Sequence, residues 1–126
     1  MRFGDAAINF VGVDYQRMHS EYLAGIEQLI VPGMPNILLS HNPDVFPVAA
    51  KKGFVATISG HTHGGQVNVE ILHENINPAR LITPYTKGLY RAGNASIYVS
   101  SGIGTIGIPA RVGVAPEITV LRLCAT

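Results

Sequence analysis

The sequence predicts an α/β protein built on a largely parallel sheet, and two features of its first half support this fold class. Short apolar runs at residues 6–13, 36–40 and 54–59 indicate strands. Helix-type patterns at residues 20–30 and 42–52 separate these runs. Strands that alternate with helices generally lie parallel, because each helix returns the chain to the same end of the sheet.

The two predicted helices begin differently. Apolar side chains recur at helical spacing in residues 20–30, where Ser20 supplies an N-cap and Pro32 follows the last turn. Residues 42–52 begin with Asn-Pro-Asp, which provides a cap, a first-turn proline and a first-turn acid. Both patterns favour helices that pack on the sheet.

The second half of the chain indicates β-structure without a further helix. Residues 66–72 alternate apolar and polar side chains, and residues 95–100 and 117–123 are two more predicted strands. These segments favour hairpin-like pairing. No linker is long enough to divide the chain, so the sequence predicts one composite domain over residues 1–126.

The composition excludes several classes of protein. Of 126 residues, 47% are hydrophobic and 13% are charged, which is the opposite of a disordered chain. The net charge of +1 argues against nucleic-acid binding through bulk charge. The single Cys124 excludes an intrachain disulfide and a multi-cysteine zinc site, and we expect it to be a small buried hydrophobe. The sequence contains no membrane-length apolar segment and no secretory signal, so nothing in it directs export from the cytosol.

Three histidines lie at the ends of predicted strands. His41 follows residues 36–40, and His61 and His63 follow the glycine after residues 54–59. The carboxyl ends of parallel strands meet at one edge of a sheet, so these side chains should lie together there. In extended backbone, a His-x-His pair also directs both rings to one side, because side chains alternate. Imidazole is the most common ligand of transition metals, so the sequence predicts a metal site.

Two other kinds of metallohydrolase do not fit this motif. In barrel amidohydrolases, His-x-His belongs to the first strand of a barrel of roughly 200 residues or more, whereas only half of this chain follows His63. Metallo-β-lactamases carry Asp and His four and five residues after the first His, where this chain has Gly65 and Gln66. We expect His19 and His73, which stand outside any such pattern, to be core or surface residues.

Two segments around the histidines resemble the motifs of a known family. Residues 37–44 are Ile-Leu-Leu-Ser-His-Asn-Pro-Asp, and residues 59–66 are Ser-Gly-His-Thr-His-Gly-Gly-Gln. Both resemble the last two metal motifs of calcineurin-like metallophosphoesterases. Residues 98–104, 109–111 and 116–118 resemble the closing stretch of the bacterial branch of that family, so the similarity extends over nearly the whole chain.

This resemblance implies two stacked mixed sheets flanked by helices, with a two-metal site at the strand ends. By position, His41 and His61 would bind the second metal ion and His63 the first. The ions, Mn, Fe or Zn, would activate a bridging hydroxide that attacks a phosphomonoester or phosphodiester. Lys87 and Arg111 would contact the substrate phosphate, or would be solvated surface charges.

The earlier metal motifs of that family are absent from this sequence. They are Asp-x-His, a Gly-Asp that supplies the bridging carboxylate, and Gly-Asn-His-Asp or Gly-Asn-His-Glu. Neither Gly4-Asp5 nor Gly93-Asn94 is a substitute. The resemblance therefore implies the C-terminal half of a catalytic domain, with little activity alone. The alternative is a non-catalytic metal-binding or assembly module that another chain completes.

The low charge content also fits half of a larger domain. A small domain has much surface to solvate, so 13% charged residues is unusually low. A surface made to be covered by a missing half would be apolar. We therefore expect an exposed apolar face or an open sheet edge, and self-association through it to form a homo-oligomer.

Residues 102–107 form a Gly-x-Gly-x-x-Gly pattern, here called the glycine-rich loop. A dinucleotide site requires this pattern to open a helix and to precede an acid by about 20 residues. Pro109 interrupts such a helix, and Glu117 follows too early. We therefore expect a turn-rich loop beside the metal edge, with Tyr85 and Tyr90 as packing residues. Nucleotide binding through this loop stays an alternative.

Overall fold

Nine strands and one α-helix make up the regular structure of the part of the chain that is described. The computed structural model describes residues 1–17, 20–67, 69–71 and 74–124. The strands are β1 (Arg2–Phe3), β2 (Ala6–Ala7), β3 (Asn9–Gly12), β4 (Asn36–Leu39), β5 (Ala56–Ser59), β6 (Val69–Ile71), β7 (Glu74–Ile76), β8 (Gly88–Ala92) and β9 (Ala95–Val99). The helix α1 is Phe46–Lys51, and short 3-10 helices lie at Ile26–Leu29, Pro43–Val45, His63–Gly65 and Pro78–Leu81.

Five strands form one mixed sheet in the order β3-β4-β5-β9-β8. Strands β3, β4, β5 and β9 are parallel, and β8 pairs with β9 as an antiparallel hairpin. The α/β fold class is therefore confirmed. The hairpins expected in the second half are confirmed too, since β6 also pairs with β7 antiparallel. The loops that follow the four parallel strands all open at the same edge of the sheet.

The core lies on the sheet face that α1 covers. Val11, Leu38 and Thr57 stand side by side in the register of β3, β4 and β5, and all three are buried. Phe46 of α1 packs against Ile97 of β9, and both are buried completely or nearly so. Two adjoining apolar clusters therefore fix α1 and the preceding turn against the sheet.

Tyr85 and Tyr90 extend this core, which confirms their expected packing role. Their ring centroids lie 5.2 Å apart, and the centroid of Tyr85 lies 5.6 Å from that of Phe46. Both pairs have the edge-to-face geometry that aromatic quadrupoles favour.

The helix predicted for residues 20–30 is wrong. Only Ile26–Leu29 is helical, and it is a single 3-10 turn. Leu23 and Gly25 have left-handed backbone, with φ of 59° and 73°, so a right-handed helix cannot pass through them. Leu23 and Ile26 nevertheless reach the core. The apolar spacing therefore indicated burial correctly, without indicating a continuous helix.

The second helix is confirmed, since α1 follows directly on the 3-10 turn Pro43–Val45. The strand predicted for residues 117–123 is wrong, because none of these described residues belongs to a strand. Cys124 is exposed, so its predicted burial is wrong as well. Its thiol is in solvent because no strand forms here to carry it into the sheet.

No helix in the described part of the chain is long and apolar enough to span a membrane.

Part of the predicted strand at residues 66–72 is observed as β6, Val69–Ile71. Two residues of this predicted strand, Asn68 and Leu72, lie outside the described residues. The expectations for His19 and His73 also fall on residues that are not described.

The sheet face opposite α1 is apolar and largely open. Phe10, Leu39 and Leu89 lie on it and are 37%, 40% and 57% exposed. Leu121 and Leu123 cover part of this face and help to enclose a cavity of about 330 Å³ against β5 and β9. The expected exposed apolar face is confirmed, and self-association through it stays a prediction.

Candidate metal centre

Two of the three predicted histidines meet at the carboxyl edge of the sheet. His41 lies two residues beyond β4, and His61 lies two residues beyond β5. His61 Nδ1 is 2.9 Å from His41 Nε2, and the ring centroids are 4.6 Å apart. The backbone N–H of Gly60 donates to the carbonyl oxygen of His41 at 3.2 Å, so the two loops are also joined directly. The parallel strand order thus brings together imidazoles that are 20 residues apart in the sequence.

Tyr15, in the loop after β3, packs beside both imidazole rings. Its ring centroid lies 5.7 Å from that of His41 and 5.8 Å from that of His61. Asn42 holds this loop, because its side chain donates to the Gln16 carbonyl at 2.7 Å and accepts from the Gln16 N–H at 3.3 Å. Asn42 makes no helix-capping hydrogen bond, contrary to expectation. Sequence reasoning missed Tyr15, although its place after a parallel strand was an available signal.

The pKa of His61 is lower than its usual value. Burial of the ring is the largest cause, and the neighbouring His41 adds to it. Both effects disfavour the charged imidazolium and favour the neutral ring. Neutral imidazole keeps a nitrogen lone pair, and it is the form of histidine that binds metal ions.

The turn that carries His61 and His63 is not extended, so that expectation is wrong. Both residues have left-handed backbone, with φ of 72° and 50°. The two rings therefore diverge: His61 lies beside His41, whereas His63 Nδ1 donates to the carbonyl oxygen of Gly104 at 3.1 Å. Left-handed backbone costs a non-glycine residue about 1–2 kcal/mol, and such strain concentrates at functional sites.

Gly64 lies in this turn at a point where a side chain has no room. Its φ is 65°, and an added Cβ would lie 2.6 Å from Val114 Cγ1 and 3.1 Å from Ser101 Cβ. Gly107 has a similar φ of 70°, but a Cβ there would meet no atom within 4 Å.

We expect Gly64→Ala to lower the free energy of unfolding by about 1 kcal/mol more than Gly107→Ala does. Both substitutions carry the cost of a positive φ, and only Gly64→Ala adds steric overlap. Urea denaturation of the two variants and the unaltered chain measures this difference. Equal losses in the two variants would show that the packing around Gly64 is not close.

The glycine-rich loop packs beside this turn, as expected. Its Gly104 carbonyl accepts the hydrogen bond from His63, and Arg111 binds the same part of the loop. Gln66 binds the far end: its side chain donates to the carbonyls of Ile106 and Ile108 at 3.0 and 2.9 Å. Its Oε1 also accepts from the N–H of Ile106 at 2.8 Å. Sequence reasoning missed this role of Gln66, although the residue closes the histidine motif.

Lys87 lines a cavity of about 420 Å³ beside this turn. Arg80, Asn77 and Gly64 also line this cavity. Lys87 Nζ lies 3.5 Å from a carboxylate oxygen of Glu117, which partly neutralises it. Gly64 directly follows His63, so the cavity adjoins the candidate metal centre. Sequence reasoning missed Arg80, whose surrounding loop gave no recognisable pattern.

The two imidazole nitrogens stand slightly closer than the ligands of one tetrahedral ion. Zinc binds imidazole nitrogen at about 2.0–2.1 Å, so two such ligands stand about 3.3 Å apart. His61 Nδ1 and His41 Nε2 lie at a hydrogen-bonding distance of 2.9 Å, so a shared ion would require the two rings to move slightly apart. Among residues 1–17, 20–67, 69–71 and 74–124, however, no group of three His, Cys, Asp or Glu side chains could hold a metal ion. The described residues therefore bring two candidate ligands together at the edge of an α/β sheet, and they do not form a complete metal centre.

The chain is similar to several curated proteins. It is 38% identical to the uncharacterized metallophosphoesterase YkuE of Bacillus subtilis over 91 residues. These residues make up 72% of this chain and 32% of that protein. It is 35% identical to the phosphodiesterase YaeI of Escherichia coli over 91 residues. These residues make up 71% of this chain and 33% of that protein. A transmembrane protein with a metallophosphoesterase domain from Bos taurus is 41% identical over 101 residues, or 75% of this chain and 21% of that protein. No family model and no solved structure matches the chain.

The chain belongs to the calcineurin-like metallophosphoesterase family. Its mixed sheet with few helices is consistent with that fold. The relatives are named metallophosphoesterase or phosphodiesterase, and the family implies divalent metal ions. The chain spans about a third of the length of the first two relatives, at 32% and 33%.

Proposed function

We propose that this chain is the C-terminal portion of a metal-dependent phosphoesterase domain that hydrolyses a phosphomonoester or phosphodiester. The observation that carries this proposal is the pair of imidazole nitrogens, 2.9 Å apart, at the carboxyl edge of the sheet. The relatives named metallophosphoesterase and phosphodiesterase support the same reaction. Because the described residues supply only part of a metal centre, we propose that the chain alone has little activity.

In this proposal, His41 and His61 bind one metal ion and His63 binds a second. When bound, a pair of divalent ions, Mn, Fe or Zn, polarises a phosphoryl oxygen and lowers the pKa of water. The contacts that orient the imidazoles differ between the two proposed metal ions. Tyr15 packs against His41 and His61, whereas the Gly104 carbonyl orients His63.

We propose Lys87 and Arg111 as substrate contacts. Lys87 is the better placed, because it lines the cavity next to Gly64 together with Arg80. Two cations at one cavity favour an anionic group such as a phosphate oxygen. The Arg111 guanidinium binds backbone carbonyls through Nε and Nη2, and its Nη1 has no hydrogen-bond partner but is buried, so a phosphate would reach it only after a local movement.

A second candidate is a non-catalytic metal-binding or assembly module that another chain completes. Two observations favour it: the described residues offer no three-ligand group, and Phe10, Leu39 and Leu89 leave one sheet face open. In this interpretation the open sheet face would bind a partner chain or a second copy of this chain.

The two candidates are separated by a chimera in which this chain replaces the matching third of the phosphodiesterase YaeI. We expect the chimera to hydrolyse bis-p-nitrophenyl phosphate with Mn²⁺, and the isolated chain to show no hydrolysis above buffer. A folded, metal-loaded chimera without activity would contradict the phosphoesterase proposal. Hydrolysis by the isolated chain, abolished by His61→Ala, would contradict the statement that it has little activity alone.

Elemental analysis and native mass measurement of the isolated chain complete this test. Two metal ions in a monomer would contradict both the partial metal centre and the proposed self-association. One ion or none, in an oligomer that also yields an inactive chimera, would favour the assembly module.

A further inference from the structure

The Arg111 guanidinium binds three backbone carbonyl oxygens, one just before the glycine-rich loop and two within it. Its Nη2 donates to the carbonyl oxygens of Ser101 at 2.8 Å and Gly102 at 3.1 Å. Its Nε donates to the carbonyl oxygen of Gly104 at 3.1 Å. The planar guanidinium holds its N–H groups in a fixed arrangement, so it sets where these carbonyls point relative to one another.

The Gly104 carbonyl is shared between Arg111 and His63. It accepts from Arg111 Nε and from His63 Nδ1, each at 3.1 Å. A carbonyl oxygen only accepts hydrogen bonds, so Nδ1 must carry the proton in this contact. In a neutral imidazole, Nε2 is then the nitrogen with the free lone pair.

We propose that Arg111 is a positioning residue that fixes the tautomer of His63 by holding the Gly104 carbonyl against Nδ1–H. The loop has few means of its own to hold this carbonyl, since glycines supply no side chain and Gly102 and Gly107 have φ of 61° and 70°. The outer hydrogen bond of a ligating histidine normally sets its tautomer and ring orientation. Only the consequence for metal binding rests on the proposed function, because the tautomer exists without a metal ion.

Gln66 provides an internal comparison, because it binds the same loop without contacting Gly104. Its partners are Ile106 and Ile108, at the far end of the loop. If general loosening of the loop were sufficient to release His63, removal of the Gln66 side chain would release it too. If Arg111 acts through the Gly104 carbonyl, removal of Gln66 leaves the tautomer in place.

The test is the long-range ¹⁵N–¹H spectrum of the histidine rings in the metal-free full chain, at about pH 8, where imidazoles are neutral. His63→Asn assigns the signal. We expect the unaltered chain to have His63 in the Nδ1–H tautomer. We expect Arg111→Met to convert most of it to the Nε2–H form. Gln66→Ala and Arg91→Met, a change at an exposed arginine of β8, should leave the Nδ1–H form unchanged.

Two results would overturn the proposal: an Nε2–H tautomer of His63 in the unaltered chain, or an Nδ1–H tautomer that persists in folded Arg111→Met. If Arg111→Met does not fold, Arg111→Lys is measured instead, since lysine keeps the charge but lacks the planar guanidinium whose N–H groups are fixed relative to one another; an Nδ1–H tautomer that persists in folded Arg111→Lys would overturn the proposal too. In the YaeI chimera, the same substitution should weaken metal binding by roughly 10–100-fold. A tautomer change without any metal binding in the chimera would contradict the proposed function and leave the role of Arg111 intact.

Discussion

Replacing His61 by alanine is expected to weaken divalent-metal binding by the YaeI chimera by at least about 100-fold. Loss of a group that merely orients a ligand already costs roughly 10–100-fold in affinity. His61→Ala removes the ligand itself, and it leaves His41 Nε2 without the nitrogen that stands 2.9 Å away. Isothermal titration with Mn²⁺ or Zn²⁺ measures the affinity. Tyr15→Phe is the matched control, because it keeps the ring beside both imidazoles and should change the affinity by less than about twofold.

The same experiment shows whether His41 and His61 bind one ion. Residues that act on a single site give strongly non-additive losses, whereas residues at separate sites give additive ones. We therefore expect the double variant His41→Ala, His61→Ala to lose little more affinity than either single variant. Additive losses would contradict a shared ion. His63 should behave differently, because its ring turns away toward Gly104, and His63→Ala should act on a separate binding step.

The sequence predicted the parallel strands and the meeting of His41 with His61 because both depend on local patterns. Short apolar runs identify strands, and parallel strands place their carboxyl ends at one edge. Two histidines that directly follow such strands must then be neighbours. Their 2.9 Å separation could not be predicted, since it depends on left-handed backbone at His61.

The failed predictions share a different cause. Residues 20–30 have helical apolar spacing, but Leu23 takes positive φ with its N–H bound to the Gln16 side chain at 3.0 Å. That contact comes from outside the segment, so its own pattern cannot reveal it. Residues 117–123 have strand-like composition, yet they remain outside the sheet. A period of two indicates that a segment suits a strand, and it does not supply the neighbouring strand with which to pair.

The contacts of Gln66 and Arg111 could not be predicted from the sequence, for a related reason. Gln66 binds residues about 40 positions away, and Arg111 binds carbonyl oxygens, which every residue has. A side chain that recognises backbone leaves no signature in its partners. The glycines of the loop were the only visible signal, and they indicated a close backbone approach without identifying what approaches.

Removal of the Glu117 carboxylate is expected to lower the free energy of unfolding by roughly 3 kcal/mol. Its oxygens accept hydrogen bonds from the hydroxyls of Thr119, Tyr98 and Ser101, and one lies 3.5 Å from Lys87 Nζ. Hydrogen bonds to a charged group are worth about 1.5–3 kcal/mol each, reduced here because the side chain is 18% exposed. Glu117→Ala, followed by urea denaturation, measures the loss. Glu21→Gln, at an exposed acid, is the control and should stay within about 0.5 kcal/mol.

The stabilisation by Glu117 should also depend on pH, in a window that its pKa defines. The Thr119 and Tyr98 hydroxyls are the main causes that lower the pKa of Glu117 from 4.5 to about 2, with smaller contributions from Ser101 and Lys87. A carboxyl whose pKa is lower in the folded than in the unfolded state stabilises the fold fully above the unfolded value. The stabilisation is then lost as the pH falls from about 4.5 toward 2. The stability of the unaltered chain should therefore decline across this window more steeply than that of Glu117→Gln, which cannot ionise. Parallel curves for the two proteins would show that the carboxylate is not held by these hydroxyls, and that residues 117–119 are not fixed to the end of β9 in this way.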